Sequence, residues 1–161
     1  MRFKTSVCIV VLALVFSGGS PYASAEETGS YFASLKSGEV NMRESPSANS
    51  KIKWVYRRKG LPMEVLASFE VWRRVRDMDG EIGWVHVALL SRDRTVVVEP
   101  GKDTPVRRRE EAASDIVAEA KPGAIGKLMG CGKLACQVKF DRASGWVERG
   151  RLWGVRDGAD F

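Results

Sequence analysis

The chain has 161 residues, 44% apolar and 29% charged, with 26 Lys and Arg against 20 Asp and Glu and one His, for a net charge of +6. This length holds two small domains of about 50 residues each and leaves no room for a third. A mild positive field suits anionic partners such as cell-wall polymers or acidic surfaces. Simple solubility asks for the same charge, and the charge alone does not argue for nucleic acid.

The first segment reads as a targeting signal. Arg2 and Lys4 give a basic start, residues 7–16 form an unbroken apolar run, and Ala23-Ser24-Ala25 offers small residues where a signal peptidase cuts. This three-part pattern predicts a secretory signal peptide over residues 1–25, removed after Ala25, with an uncleaved N-terminal anchor as the alternative. Cys8 would leave with it. Removing 25 of 161 residues leaves 136, and the loss of Arg2 and Lys4 lowers the charge from +6 to +4. The expected location is periplasmic or secreted, with no stable membrane span.

Residues 26–37 read as a short N-terminal segment of the mature chain, anchored by Tyr31, Phe32 and Leu35. In the first domain, expected over 38–98, Val40 and Met42 alternate with Asn41 and Arg43, which is the pattern of a half-buried strand. A turn-rich loop holding Ser45, Pro46 and Ser50 follows. Ile52, Trp54 and Tyr56 alternate with Lys51, Lys53 and Arg57, but Val55 interrupts the pattern and leaves the inner face open. Gly60 turns the chain before Met63, Val65 and Ala67 alternate again. Trp72-Arg73-Arg74-Val75 is a further strand, the run from Asp77 to Gly80 signals a hairpin, and Gly83-Trp84-Val85 lies on the next strand, followed by a single tight turn. Thr95-Val96-Val97-Val98 is strongly β-forming and is expected to close the first domain.

The second domain, expected over 99–161, repeats these landmarks. Arg43 recurs as Arg107 at an offset of 64, Gly60 as Gly123 at 63 and Trp84 as Trp146 at 62. So steady a spacing implies duplication of one unit. Glu110, Glu111, Ala112 and Ala113 favour helix by propensity. However, Ile116, Ala118 and Ala120 alternate, and the repeat lays this stretch over a loop and a strand. Units of this size are marginal alone, so the two copies are expected to pack on each other.

Cys131 and Cys136 remain after processing. An even number in an oxidising compartment reads as a structural disulfide. A redox motif would sit beside a helix N-terminus, and a zinc site needs about four ligands, which two Cys and His86 do not supply.

Val40-Asn41-Met42-Arg43 with Ser45-Pro46-Ser47, then Gly60, Val65-Leu66, Trp72-Arg73-Arg74-Val75 and Gly83-Trp84-Val85, resemble the bacterial SH3 (Src-homology-3-like, SH3b) domain family. The tandem arrangement, with its leader and its Leu152-Trp153-Gly154-Val155 ending, is similar to a group of exported alphaproteobacterial proteins. The resemblance covers residues 38–90 and 103–155. It implies an all-β fold of two tandem small SH3-like β-barrels, each of five or six short strands. The second copy departs from the pattern where Pro105 replaces Asn41 and Ala135 replaces Trp72, which puts any ligand site there in doubt.

The shared residues read first as scaffold. Gly83 and Gly145 permit close approach, Trp84 and Trp146 supply apolar bulk to plug each barrel, and Arg43 and Arg107 bond to turn carbonyls. No nucleophile, oriented base or phosphate loop is proposed by the sequence, and no cofactor or metal is expected. The reading is a non-catalytic exported binding module that recognises peptidoglycan or cell-wall peptide. The alternative is a protein–protein adaptor for a periplasmic or envelope enzyme. Candidate ligand-binding residues are Trp54, Tyr56 and Trp72 as aromatic walls, with Arg57, Arg58 and Arg73 as charged rims.

Overall fold

The computed structural model describes residues 29–101 and 103–156. The expected signal peptide, its cleavage after Ala25 and Cys8 lie outside the described residues. The described chain has no α-helix and forms two seven-stranded antiparallel sheets.

The first sheet comprises β1 (Tyr31–Leu35), β2 (Val40–Arg43), β3 (Ile52–Tyr56), β4 (Pro62–Phe69), β5 (Trp72–Arg76), β6 (Ile82–His86) and β7 (Leu90–Ser91), with a 3-10 turn over Val87–Leu89. Its strand order is β3-β2-β6-β5-β4-β1-β7. The second comprises β8 (Thr95–Val98), β9 (Thr104–Arg107), β10 (Ile116–Ala120), β11 (Ile125–Cys131), β12 (Ala135–Lys139), β13 (Ser144–Glu148) and β14 (Leu152–Trp153), with a 3-10 turn over Arg149–Arg151. Its order, β10-β9-β13-β12-β11-β8-β14, repeats the first strand for strand. The fold is all-β, with two tandem SH3-like barrels.

The strand Thr95–Val98 does not close the first barrel. It pairs with β11 and β14, inside the second sheet. Its counterpart in the first sheet is β1, which pairs with β4 and β7 and is more than an N-terminal anchor. Each copy therefore opens one strand earlier than the sequence landmarks suggest. An apolar run such as Val96-Val97-Val98 is attracted equally to either core, and only the register against β11 decides between them.

Two separate cores follow. Leu35, Val40, Met42, Met63, Val65, Val75 and Val85 fill the first, and Val96, Val98, Val106, Leu128, Val138, Val147 and Leu152 fill the second. The expectation that Trp84 and Trp146 plug the barrels is corrected: both indoles are half-buried and outside these cores. The cause is the two-residue side-chain period of a strand. Gly83 and Val85 point inward, so Trp84 between them points outward, as Trp146 does between Gly145 and Val147.

The glycines themselves are sterically required. A Cβ on Gly83 would lie 2.5 Å from Met42 Cγ and 2.9 Å from the Arg43 carbonyl oxygen, and one on Gly145 would lie 2.4 Å from the Arg107 carbonyl oxygen. Close crossing of β6 over β2, and of β13 over β9, depends on their absent side chains.

The loops after β2 and β9 share one construction although their sequences differ. Arg43 Nη1 donates to the Ser50 carbonyl at 2.5 Å, and Arg107 Nη1 donates to the Ser114 carbonyl at 2.8 Å. Ser50 Oγ accepts from the Ser45 N–H and Ser114 Oγ from the Arg109 N–H. A rigid guanidinium and one serine thus set each loop.

Cys131 and Cys136 are joined by a disulfide across the β11–β12 hairpin, with Cα atoms 4.0 Å apart. The barrels also pack on each other. Arg58 Nη2 donates to the Gly123 carbonyl at 2.8 Å, Thr95 Oγ1 donates to the Gly60 carbonyl at 2.7 Å, and the rings of Phe32 and Trp153 meet edge to face at 5.1 Å. Gly60 and Gly123 occupy equivalent turns and both have φ of +77°, a left-handed conformation that favours glycine.

Candidate functional site

The most developed site in the first barrel lies on the outer face of β2, β6 and β5. Antiparallel pairing sets Trp72 opposite His86, and the same alternation turns Asn41 and Arg43 outward from β2. Together with Ala48 and Leu89 these residues line a groove of about 210 Å³. The Trp72 and His86 rings meet edge to face at 5.4 Å, which fixes both. His86 Nδ1 accepts from the Ala88 N–H at 3.2 Å, capping the short turn that follows. A neutral imidazole in that position carries its proton on Nε2 and can donate from there. Arg43 is held by its loop carbonyl, and Asn41 brings an amide with both donors and an acceptor. The groove therefore combines aromatic surface with an amide, an imidazole and the Arg43 guanidinium, a combination that suits amides, hydroxyls and carboxylates.

The equivalent place in the second barrel is also a groove, of about 220 Å³, lined by Arg107, Glu110, Leu134, Ala135, Trp146 and Glu148 among others. Its contents differ. Ala135 stands opposite Glu148 where Trp72 stands opposite His86. Glu110 Oε1 accepts from the Leu134 N–H at 3.0 Å. The aromatic wall is reduced to Trp146, and carboxylates flank it.

The six residues expected to bind ligand do not converge on one groove. Trp72 lines the groove described above, although only 9% of it is exposed. Trp54 is 52% exposed on β3, at the sheet edge, with its ring 6.4 Å from that of Tyr56. Tyr56 itself is buried, and its hydroxyl donates to Asp77 Oδ2 at 2.7 Å. Burial first, and then the Asp77 carboxylate, hold this phenol far above its ordinary range. Arg57 pairs with Glu39 on the surface at 3.0 Å, Arg58 crosses to Gly123 at the joint, and Arg73 donates to the carbonyls of Glu70 and Trp72 in its own turn. Asn41, His86 and Leu89 are groove residues that the sequence reading did not select. The usable signal was the outward phase of their strands, since Asn41 alternates with the buried Val40 and Met42, and His86 follows the buried Val85.

Among the described residues, no group of three or more His, Cys, Asp or Glu could hold a metal ion, and no helix is long and apolar enough to cross a membrane.

With fold and groove in view, comparison with known proteins gives the class. The bacterial SH3 domain family matches residues 36–92 and 101–154, and the chain belongs to that family. Among solved structures the chain is similar to NlpC2 from Trichomonas vaginalis, with 12% identity and a TM-score of 0.36, over 84% of this chain and 52% of that one. It is similar also to NlpC1 from Trichomonas vaginalis, with 13% identity and a TM-score of 0.36, over 92% of this chain and 54% of that one. The chain spans about half the length of these solved structures. No curated protein matches it.

Proposed function

We propose that this protein is a non-catalytic, exported binding module that recognises peptidoglycan or its peptide through the outer-face groove of the first barrel. The observation that carries the reading is that groove: the Trp72 edge, the His86 Nε2–H and the Asn41 amide lie together on one sheet face. Glycan and peptide strands are dense in amides and hydroxyls, and stem peptides carry carboxylates, which suits an aromatic cleft with an amide, an imidazole and the Arg43 guanidinium. Membership of the bacterial SH3 domain family, the secretory leader read from the sequence and the net positive charge support the same reading.

Purified sacculi test it. At low salt the protein should co-sediment, and Asn41→Ala combined with His86→Glu should lower the retained affinity about tenfold, equivalent to ~1.4 kcal/mol. Protein left wholly in the supernatant would end the wall-binding reading.

One observation favours the alternative, a protein–protein adaptor. Strand β3 is a sheet edge exposing Ile52, Trp54 and Val55, and an open edge can accept a further strand from a partner. Co-purification of a stoichiometric partner that survives wall digestion and is lost on Trp54→Lys would establish it.

A further inference from the structure

The joint between the barrels uses equivalent positions of the two copies, and its two halves differ. Strand register fixes the equivalence. Phe32 stands opposite Glu64 as Thr95 stands opposite Lys127, and Ser91 stands opposite Ser34 as Trp153 stands opposite Val97. In one half the aromatic pair Phe32 and Trp153 is in edge-to-face contact. The matching positions of the other half are Thr95 and Ser91. There two small hydroxyl side chains stand in place of two large rings, and a cleft of about 430 Å³ is open, with both among its lining residues.

Charge distinguishes the halves in the same way. Lys36, Lys59 and Lys127 line the open cleft, arriving from the end of β1, the turn before β4 and strand β11. Their counterparts are Glu99, Pro122 and Glu64, as the matching backbone hydrogen bonds and strand register show. None of the three lysines forms an ion pair with a described residue, whereas Lys51, Lys53 and Lys121 all do. The cleft has one carboxylate, Asp93, which accepts from Ser91 Oγ at 3.0 Å. Three lysines drawn from both barrels and a single acid therefore line a concave space that also holds two hydroxyl side chains, and such a surface focuses a positive potential.

We propose that the inter-barrel cleft is an oxyanion-binding site that takes a phosphate or carboxylate group between Lys36, Lys59 and Lys127. It shares no lining residue with the Trp72 groove, so it stands or falls independently of wall binding. It also exists only while the two copies are docked, because Lys127 and Thr95 come from the second sheet and the remainder from the first sheet and the connector.

Titration of the full chain with inorganic phosphate, followed by amide NMR at constant ionic strength, tests the site. Saturable shifts are expected at Gly60, Ser91 and Thr95. The Lys36→Ala, Lys59→Ala, Lys127→Ala triple variant should bind at least tenfold more weakly, and Lys51→Ala with Lys53→Ala, a surface-charge control, should bind as the parent does. Ser91→Trp leaves every cation in place and fills the cleft as in the sister half, and it should also abolish the saturable shifts. Citrate at the same ionic strength provides the carboxylate arm: saturation by either anion supports the cleft, and the tighter of the two identifies its class. Linear shifts spread over all surface lysines with both anions, or saturation unchanged in the triple and Ser91→Trp variants, would overturn the proposal.

Discussion

The outer-face grooves of the two barrels hold the same position in the same fold and present opposite chemistry. In the first, Trp72 and His86 give an aromatic wall. In the second, Ala135 and Glu148 stand at the same cross-strand pair, beside Glu110. The parts that shape the backbone are retained in both: the close-approach glycines, the arginine-to-loop hydrogen bond and the serine that closes the loop. After duplication, the residues that satisfy backbone geometry and those that meet solvent are under separate physical constraints. Only the first set is needed to close the barrel.

The sharpest way to test that division is at the glycines. Both Gly145→Ala and Gly83→Ala bring a Cβ within 3.0 Å of a backbone carbonyl, but the approach is closer at Gly145, 2.4 Å from the Arg107 oxygen, than at Gly83, 2.9 Å from the Arg43 oxygen. Overpacking of this kind costs about 1–3 kcal/mol, and the cost rises as the backbone obstacle comes closer. Denaturant unfolding should therefore rank Gly145→Ala as clearly worse than Gly83→Ala, and equal losses would mean that the second barrel relaxes as easily as the first.

Next in size is Tyr56, whose counterpart by strand register is Ala120. The buried phenol donates to a buried carboxylate, so Tyr56→Phe should cost the first barrel about 2 kcal/mol, the range for hydrogen bonds to charged groups. The pH dependence has a definite sign. The folded-state pKa is raised, so this contribution is fully present below the unfolded tyrosine pKa of about 10. It is lost as pH rises from there toward the folded value. Alkaline unfolding should begin in the first barrel, and ultraviolet difference spectra should show Tyr56 ionising only with unfolding. Early ionisation of both described tyrosines in the native protein would contradict this.

The smallest effect belongs to the second barrel. Its Cys131–Cys136 pair occupies the cross-strand position held by Ser68 and Arg73 in the first. A loop this short is worth about 2 kcal/mol at most on the chain-entropy model. Cys131→Ser with Cys136→Ser should lower the stability of the second barrel by up to that amount and leave the groove of the first intact. Thiol labelling under denaturing, non-reducing conditions should find neither cysteine reactive.

Much of this fold was readable because glycine and tryptophan punctuate each copy at a nearly fixed spacing, and because strands of period two alternate visibly around Val40 and Met42. The origin of each barrel was not readable. Val96, Val97 and Val98 are equally apolar in either sheet, and β1 shows no period-two alternation, since Ala33, Ser34 and Leu35 are all buried. The fate of the aromatics was also hidden. Trp54 and Tyr56 share one alternation, yet Trp54 lies at an exposed edge beside a register shift while Tyr56 meets the core. The groove was missed for a related reason. Asn41, Trp72 and His86 are distant in sequence and come together only through the order β2-β6-β5, which no local pattern encodes. Arg58 looked like a free rim because the carbonyl that holds it lies in the other barrel, and Arg73 because its partners lie at the β4–β5 turn, which the sequence does not announce.

Only Arg92, Asp93 and Arg94 separate the two sheets, and Arg58 and Thr95 tie each barrel to a glycine carbonyl of the other. The two barrel faces are thus spaced by hydrogen bonds and not by a slack tether. On the proposed wall-binding reading, a polymer whose repeat fits that spacing would make a second contact with little further loss of orientational freedom. On the same reading, a polymer out of step with that spacing would be held by one barrel alone.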